Sequence, residues 1–328
     1  MKINKSIIVL VILSIIAGAY FFSNSKGSLN RRNSSFEINS ADITKIQIST
    51  PNEKLLLEKQ QNQWKVNSKY KAIDKSIENF LLAINRIAVT APASNAEKEQ
   101  VASILAVDGL VVEVFKKNKT IKKYYVSKPS MNKDKTYMMM HNSSEPFVVR
   151  IPSFKGLVAD LFIIDENYWR DKTVFNYHPQ SISSIVVEYP EHMSKSFKAI
   201  NYNNGTFAIQ NLETKAFVDD FNVEKLARYF TYFQRIVFDG IVKDKGKVEI
   251  DSVFNSIPFC IITVEDIQGV SNKITTFRKP SVNGIDEFGQ KIKFDYDMAY
   301  ASLNNNKELV TIQYYIIDLL LKEIDYFR

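Results

Sequence analysis

An aromatic and charged cluster lies near the middle of the 328-residue sequence, at Tyr168-Trp169-Arg170-Asp171-Lys172. An arginine, a carboxylate and a lysine at consecutive positions are residue types that can bind and polarise a substrate, which makes the cluster a candidate active site. The same residues could instead form a structural joint between two parts of the chain. The pattern of the whole sequence has to choose between these two interpretations.

Other residue types that carry catalysis or bind metals are sparse. The three histidines, His141, His178 and His192, are scattered, and the sequence contains neither an HExxH nor a CxxC motif. It also contains no G-x-S-x-G nucleophile motif and no glycine-rich phosphate loop. The sequence therefore predicts no catalytic, cofactor-binding or metal-binding residues and favours a protein that is not an enzyme.

Methionines gather at Met138-Met139-Met140, next to His141 and close to Met131. Thioether sulfurs outside the cytoplasm could hold a copper(I) ion. On a strand, however, Met138 and Met140 face one side while Met139 and His141 face the other. This split favours packing over metal binding.

The single cysteine, Cys260, lies within an apolar run, Ile257-Pro258-Phe259-Cys260-Ile261-Ile262. A lone cysteine cannot form an internal disulfide, so the fold depends on its hydrophobic cores. We expect Cys260 to be a buried, small apolar residue rather than a reactive thiol.

Lysine is concentrated in residues 115–135, which hold eight lysines and one acidic residue. Two interpretations stay open: lysines on an edge strand that protect against aggregation, or a contact with anionic lipid headgroups or an acidic protein. The equivalent stretch at 264–279 lacks this lysine density. The candidate contact residues at the predicted hairpin turn are Lys116, Lys117, Lys119, Lys122 and Lys123.

The net charge of +7 does not indicate a nucleic-acid-binding protein. Residues 1–35 contain five lysines and arginines and no acidic residue, so the rest of the chain has a net charge of only +2. A nearly neutral globular part lacks the basic footprint of a nucleic-acid binder. We therefore expect no nucleic acid among the partners.

The amino-terminal segment has the pattern of a membrane anchor. Residues 7–22 are apolar except for Ser14, and two lysines precede them, which favours a cytoplasmic start. The alternative is a signal peptide that is cleaved near Ala19. The sequence predicts an anchor or signal segment at 1–25, a flexible tether at 26–39, and a location in the inner membrane, single pass, with the bulk in the periplasm. Cleavage would instead secrete the protein into the periplasm.

An internal repeat organises the remaining chain. Segments of residues 42–51 and 181–190 share apolar positions and a closing proline, and residues 160–170 align without a gap with residues 318–328. Between these ends, matching strands and an amphipathic helix follow in the same order. One such match aligns the apolar strand that begins at Leu110 with the one that begins at Phe259, and the tripeptide Lys-Pro-Ser occurs at Lys128 and again at Lys279.

The length and the repeat together predict two domains. The apolar content of the full sequence, 45%, is that of a folded protein. We expect two tandem α+β repeats at 40–172 and 173–328, each a mainly antiparallel sheet with two helices.

This organisation resembles the DUF4340 family of bacterial envelope proteins. The resemblance rests on the strand Trp64-Lys65-Val66 before the first helix, on the step Trp169-Arg170-Asp171-Lys172 between units, and on the apolar anchor. It implies tandem α+β units and a possible partnership with ABC-type transport systems related to gliding machinery. The family has no established catalytic residues to carry over.

The repeat also favours the structural interpretation of the central cluster. Its Tyr-aromatic-Arg core returns as Tyr326-Phe327-Arg328 without the following Asp-Lys. We therefore expect a packing device that seats an aromatic ring and an arginine after each unit, with Tyr168, Trp169, Arg170 and Asp171 at an inter-repeat seam. The predicted function is a membrane-anchored, non-enzymatic interaction platform with protein partners in the envelope. The alternative is a periplasmic ligand-binding protein with a pocket between the repeats.

Overall fold

The computed structural model describes Phe36, Ile38, Asn39 and residues 43–282, 284–285, 288–304 and 308–328. Over these residues the protein consists mainly of antiparallel sheets with a few helices, an α+β arrangement. None of the helices in this part of the chain has the length and apolar character needed to cross a membrane. The predicted anchor at 1–25 and most of the tether at 26–39 lie outside the described residues.

The chain divides into two compact units, with the boundary between Asp171 and Lys172. The part before the boundary is called unit 1 and the part after it unit 2. Each has its own sheet and its own hydrophobic core.

Unit 1 is built on a sheet in which every pairing is antiparallel, in the order β4-β3-β2-β1-β6-β7-β8-β9-β5. Buried and exposed residues alternate along its central strands, which is the pattern of strands that face a core on one side. The strands are β1 Lys45–Ser49, β2 Lys54–Gln60, β3 Gln63–Val66, β4 Tyr70–Lys71, β5 Ala88–Pro92, β6 Leu110–Lys116, β7 Lys119–Val126, β8 Thr136–Met140 and β9 Phe147–Arg150.

Helices cover both faces of this sheet. Helix α1, Asp74–Ile84, buries Ile77, Phe80 and Ile84 in the main core. Helix α2, Lys98–Asp108, packs Leu105 against Tyr137 and Met139 on the opposite face. The unit closes with a 3-10 helix, Val158–Leu161, and the single turn α3, Glu166–Trp169.

Unit 2 has a sheet in the order β13-β12-β11-β16-β17-β18-β19-β15 and a separate pair of strands, β10 and β14. All of its pairings are antiparallel. The strands are β10 Thr173–Phe175, β11 Ile182–Glu188, β12 Phe197–Asn201, β13 Phe207–Asn211, β14 Ile236–Val237, β15 Gly240–Ile241, β16 Cys260–Asp266, β17 Ser271–Pro280, β18 Phe294–Leu303 and β19 Val310–Gln313.

The helices of unit 2 take corresponding places. Helix α4, Val223–Phe230, begins at the capping residue Asn222 and buries its apolar face in the main core. Helix α5, Lys247–Phe254, packs on the second cluster around Phe277 and Tyr300. The single turn α6, Tyr314–Ile317, and a 3-10 helix, Ile324–Phe327, close the unit.

The prediction of two helices in each unit is wrong, because α2 and α5 were not expected. The only fully buried residue of α2 is Leu105, and none of the residues of α5 is fully buried. Such helices lack the wide apolar stripe by which a sequence reveals an amphipathic helix. They cover small satellite clusters instead of the main cores.

The register of the strands corrects the predicted match between the two units. The pairings of β1 with β6 and of β11 with β16 place Leu110 at the position of Cys260, not at that of Phe259. The match between the two units that the sequence suggests is therefore shifted by one residue in this strand. An uninterrupted apolar run offers no alternation by which to set the register.

The Lys-Pro-Ser tripeptides of the two units do not occupy equivalent positions either. In unit 1 it forms a 3-10 turn after β7, whereas in unit 2 Lys279 and Pro280 are still part of β17. Counting from the paired residues of β6–β7 and β16–β17, Lys128 takes the position of Arg278. The same tripeptide therefore has a different structural role in each unit.

Candidate functional site

Trp169, from the central cluster, is a core residue of unit 1. Its side chain is 1% exposed, its ring packs edge-on against Phe80 at 5.1 Å, and its Nε1 donates a hydrogen bond to the Ile163 carbonyl at 2.7 Å. The Trp169 carbonyl accepts a hydrogen bond from the Ile73 amide, at the start of α1, at 2.8 Å. Trp169 therefore joins the end of unit 1 to its main helix.

The neighbours of Trp169 contact the same unit. The Arg170 guanidinium stacks on the Tyr70 ring at 3.5 Å and lies 3.9 Å from a Glu166 carboxylate oxygen. Asp171 pairs with Lys71 at 3.0 Å, and its hydrogen bond raises the pKa of the Lys71 ammonium group. Tyr168 is about half exposed. All four predicted seam residues, Tyr168 to Asp171, belong to unit 1.

The similar sequence in unit 2, Tyr326-Phe327-Arg328, shows the aromatic contact but not the arginine contact. Phe327 is fully buried and packs against Phe197 at 5.0 Å and Tyr229 at 5.4 Å, and its carbonyl accepts a hydrogen bond from the Asn222 amide at 2.6 Å. Arg328, in contrast, is exposed and pairs with Asp325 at 2.8 Å. The prediction that each unit seats an arginine is wrong for unit 2.

The lysine-rich segment forms the hairpin of β6 and β7, with Lys117 at a positive φ of 54° in its turn. The expectation of an edge strand is wrong, since β7 lies between β6 and β8. Its pairing with β8 covers only Tyr124 to Val126, so residues 119–122 extend beyond the end of β8. The hairpin therefore projects from one end of the sheet.

The hairpin lysines do not share a single face. Lys123 points to the side opposite the core and pairs with Glu113 at 2.6 Å. Lys122 lies across from the buried Val114, on the other side of the strand. Lys116, Lys117 and Lys119 are exposed around the turn.

The fold adds three lysines from β1, β2 and β3 to those of the hairpin. Lys45 on β1 lies over the Phe115 ring at 4.1 Å. It is the cross-strand partner of Glu58 on β2, and Glu58 is in turn the partner of Lys65 on β3. The Lys59 amide donates a hydrogen bond to the carbonyl of Thr44, the residue before Lys45, so Lys59 lies at the same end of the sheet. We define the basic end of unit 1 as Lys45, Lys59, Lys65, Lys116, Lys117, Lys119, Lys122 and Lys123.

The basic end combines these eight lysines with two glutamates, Glu58 and Glu113, an excess of six positive charges. Sequence reasoning found only the hairpin part, because Lys45, Lys59 and Lys65 are distant along the chain. In unit 2 the same end of the sheet carries Glu265, Asp266 and Lys273 around the β16–β17 turn. The positive charge is thus a property of unit 1 alone.

A cleft of about 760 Å³ opens at the opposite end of the unit 1 sheet. Three of its lining residues continue the core-facing side of β1, β6 and β7: Thr50, Leu110 and Lys128. Its volume falls in the range of roughly 300–1,000 Å³ that is typical of ligand sites. The other lining residues are Asn52, Glu53, Pro129, Ser130, Ala159, Asp160, Phe162, Ile163 and Ile164.

The rim of the cleft is polar and its interior mainly apolar. Thr50 is fixed by its own turn, since its hydroxyl accepts a hydrogen bond from the Glu53 amide at 3.0 Å. Lys128 is paired with Asp108 at the end of α2. Glu53 and Asp160 add two carboxylates to the lining. The sequence did not predict that these residues form a site, because most of them lie in turns without a recognisable motif.

The methionines and the cysteine lie where the sequence predicts. Met138 and Met140 pack on the main core, and Met139 lies in the cluster under α2. The Nδ1 atom of His141 is 2.8 Å from the Tyr125 hydroxyl. Cys260 is fully buried, and burial raises the pKa of its thiol to about 12. Among the described residues, no group of three or more His, Cys, Asp and Glu side chains is placed to hold a metal ion.

Comparisons with protein-family models, with curated proteins and with solved structures produce no match to this chain.

Proposed function

We propose that this protein is a membrane-anchored, non-enzymatic interaction platform of the bacterial envelope, similar in organisation to the DUF4340 family. The observation that carries the proposal is the basic end of unit 1, where five strands bring eight lysines together. A cluster of one sign on one unit gives a steering field for an acidic partner. The partner we propose is an acidic protein surface in the envelope, such as a component of an ABC-type transport or gliding-related assembly.

An internal duplication is part of the proposal. It is supported by the equivalent order of strands in the two sheets and by the buried aromatic residue that ends each unit, Trp169 in one and Phe327 in the other. The divergence of the basic end then has a simple meaning. One copy acquired a binding surface, while the other kept ordinary surface charges.

Membrane anchoring is supported by the apolar residues 7–22 alone. An anchor in the inner membrane would hold the bulk of the chain in the periplasm, close to partners in the same membrane. The amino-terminal sequence of the mature protein tests this part separately. A mature chain that begins near Tyr20 would contradict the anchor.

A photo-crosslinking residue at Asn118, in the turn of the lysine hairpin, tests the platform. We expect crosslinks to envelope proteins in cells, and we expect them to decrease strongly at high salt because the contact is electrostatic. Replacement of Lys116, Lys117, Lys119 and Lys122 by glutamine should remove them. Lys123 is left unchanged because it pairs with Glu113.

The matched control loses the same charge elsewhere on unit 1, through glutamine at Lys54, Lys75, Lys133 and Lys155. The proposal requires that the control retain the crosslinks. Equal loss in both variants would show a non-specific charge effect, and unchanged crosslinks in the hairpin variant would exclude the basic end. Crosslinks to phospholipid alone would replace the protein partner by anionic headgroups.

The cleft of unit 1 favours a second candidate function, a periplasmic ligand-binding protein. The cleft is formed by residues of unit 1 only, whereas the sequence suggested a pocket between the repeats. A stable monomer that binds a small molecule and captures no membrane partner would support this function over the platform.

A further inference from the structure

The side chain of Tyr189 in unit 2 occupies the place that corresponds to the cleft in unit 1. Thr50 and Tyr189 hold equivalent positions in the two sheets. Thr50 lies two residues after the buried strand residue Ile48, and Tyr189 lies two residues after the buried strand residue Val187. The cross-strand partners of Ile48 and Val187 are equivalent as well. Thr50 lines the cleft, and Tyr189 is only 7% exposed. Where unit 2 has a phenol ring, unit 1 has a short side chain and an opening.

The opposite wall is equivalent as well. Ile164 precedes Trp169 by five residues and Lys322 precedes Phe327 by five, and both aromatic residues are fixed by the same backbone hydrogen bond to the main helix. In unit 2 the Tyr189 hydroxyl donates a hydrogen bond to the Lys322 carbonyl at 3.0 Å. Tyr189 thus spans the gap that in unit 1 lies between Thr50 and Ile164, both of which line the cleft.

We propose that the cleft of unit 1 binds a phenol ring that belongs to another molecule, in the position that Tyr189 takes within unit 2. The hydroxyl of this ring would donate to the backbone of the segment that contains Ile164. Leu110, Phe162 and Ile163 supply apolar surface for the faces of the ring. The fold therefore contains, in its second unit, an internal example of the ligand that the first unit takes from outside.

The charges at the rim define the ligand further. Glu53 and Asp160 are carboxylates of the lining, and the only lysine of the lining, Lys128, is paired with Asp108. The rim therefore favours a positive charge next to the phenol. The ligand class is a cationic phenol, either a small molecule or a tyrosine beside a lysine or arginine in a partner protein.

The volume of about 760 Å³ exceeds the needs of a single ring. A tyrosine with its neighbouring residues would use more of the space and of the polar rim. The inference compares unit 1 with unit 2 and therefore rests on their proposed duplication, but it is independent of the membrane anchor and of the basic end.

The test measures binding of four probes to the full chain by isothermal titration calorimetry. The probes are tyramine, phenethylamine, 4-hydroxyphenylacetate and the dipeptide N-acetyl-Tyr-Lys-amide. We expect tyramine to bind at least about threefold more tightly than phenethylamine, which lacks the hydroxyl. We expect 4-hydroxyphenylacetate to bind most weakly, because its charge is repelled at the rim.

The decisive variant is Thr50→Tyr, which gives unit 1 the residue of unit 2. It should close the cleft and weaken tyramine binding at least tenfold, while Thr50→Ser keeps the turn hydroxyl and should retain binding. All titrations use the same detergent micelles, so partition of the probes into detergent is common to every variant. If Thr50→Tyr does not fold, Glu53→Lys at the exposed rim serves instead and should shift the preference toward 4-hydroxyphenylacetate.

Each outcome decides the proposal. Unchanged tyramine binding in folded Thr50→Tyr, or no detectable binding of any probe, would overturn it. If the dipeptide binds more than tenfold better than tyramine, the source of the phenol is a protein side chain. Equal binding of the two identifies a small cationic phenol.

Discussion

The amide of Ile73 donates a hydrogen bond to the carbonyl of Trp169 at 2.8 Å, at the point where helix α1 begins. The equivalent bond in unit 2 joins Asn222, at the start of α4, to Phe327 at 2.6 Å. In each unit the last aromatic residue is therefore tied to the first turn of the main helix. This contact explains why the buried aromatic residue of the cluster recurs in unit 2, where the arginine that follows it makes a different contact.

Removal of the Trp169 side chain should destabilise unit 1 severely. Trp169→Ala should lower the free energy of unfolding by about 3–5 kcal/mol, because it creates a cavity beside Phe80. Trp169→Phe should cost about 1–2 kcal/mol, since it leaves the Ile163 carbonyl without the indole hydrogen bond. Urea unfolding followed by the fluorescence of Trp64, the other tryptophan, measures both changes in unit 1. A loss below about 1 kcal/mol for Trp169→Ala would contradict the role of this residue.

The two arginines that follow the aromatic residues should differ in their effects. Arg170→Ala should cost about 2–3 kcal/mol, because Arg170 is only 5% exposed and its guanidinium stacks on Tyr70. Arg328→Ala should change stability by less than about 0.5 kcal/mol, since that side chain is exposed. Thermal unfolding of the two variants beside the unmodified chain gives the comparison, and similar losses for both would refute it.

Cys260 should make the stability of unit 2 fall at alkaline pH. Burial raises the pKa of the thiol from 9.0 to about 12, so between these values the native state keeps a proton that the unfolded chain has lost. Because the unfolded state binds fewer protons there, the free energy of unfolding decreases as pH rises. Cys260→Ala should reduce this slope by up to about 1.4 kcal/mol per pH unit, measured by urea unfolding at pH 8–11. An identical slope in the variant would argue against a buried thiol.

The Lys279–Asp295 pair should stabilise unit 2 above acidic pH. Burial raises the pKa of Asp295, but hydrogen bonds from Lys279 and from the Asp297 and Met298 amides outweigh it and keep the pKa below its ordinary value. The contribution is thus present above about pH 4 and is lost as pH falls through the native pKa.

Asp295→Asn should cost about 1–2 kcal/mol at pH 7 and progressively less below pH 4. Pulsed thiol labelling of the buried Cys260 measures the opening of unit 2. Asp297→Asn is the control, because Asp297 is exposed. Equal effects of the two substitutions at pH 7 would contradict the role of the pair.

The sequence predicted the parts of the fold that depend on periodic burial. Strand alternation correctly placed Met138 and Met139 on opposite faces of the sheet. The sequence also aligned Trp169 with Phe327, 158 residues later, and both are buried aromatic residues that contact the core of their own unit. Both depend on a repeating difference between apolar and polar positions, which a sequence displays directly. The prediction that Arg328 is seated like Arg170 is wrong, because the local sequence does not distinguish a stacked arginine from an exposed one.

The cleft could not be predicted, since it depends on register and on one side-chain volume. Thr50 is a turn residue in the sequence, and its equivalence to Tyr189 has no consequence until the wall formed by Ile164 is in place. The basic end was predicted only in part for a related reason. Lys45 and Lys65 reach Lys119 through sheet pairing, and pairing partners cannot be read from local patterns.

The placement of the basic end and the cleft at opposite strand ends gives unit 1 an electric dipole along its strands. Strands of this length separate the two ends by roughly 20 Å. The basic end has an excess of six positive charges, whereas Glu53 and Asp160 lie at the other end, where Lys128 is paired with Asp108. A negatively charged support, such as a cation-exchange bead at low salt, should therefore capture unit 1 in one preferred orientation, with the mouth of the cleft turned toward the solution.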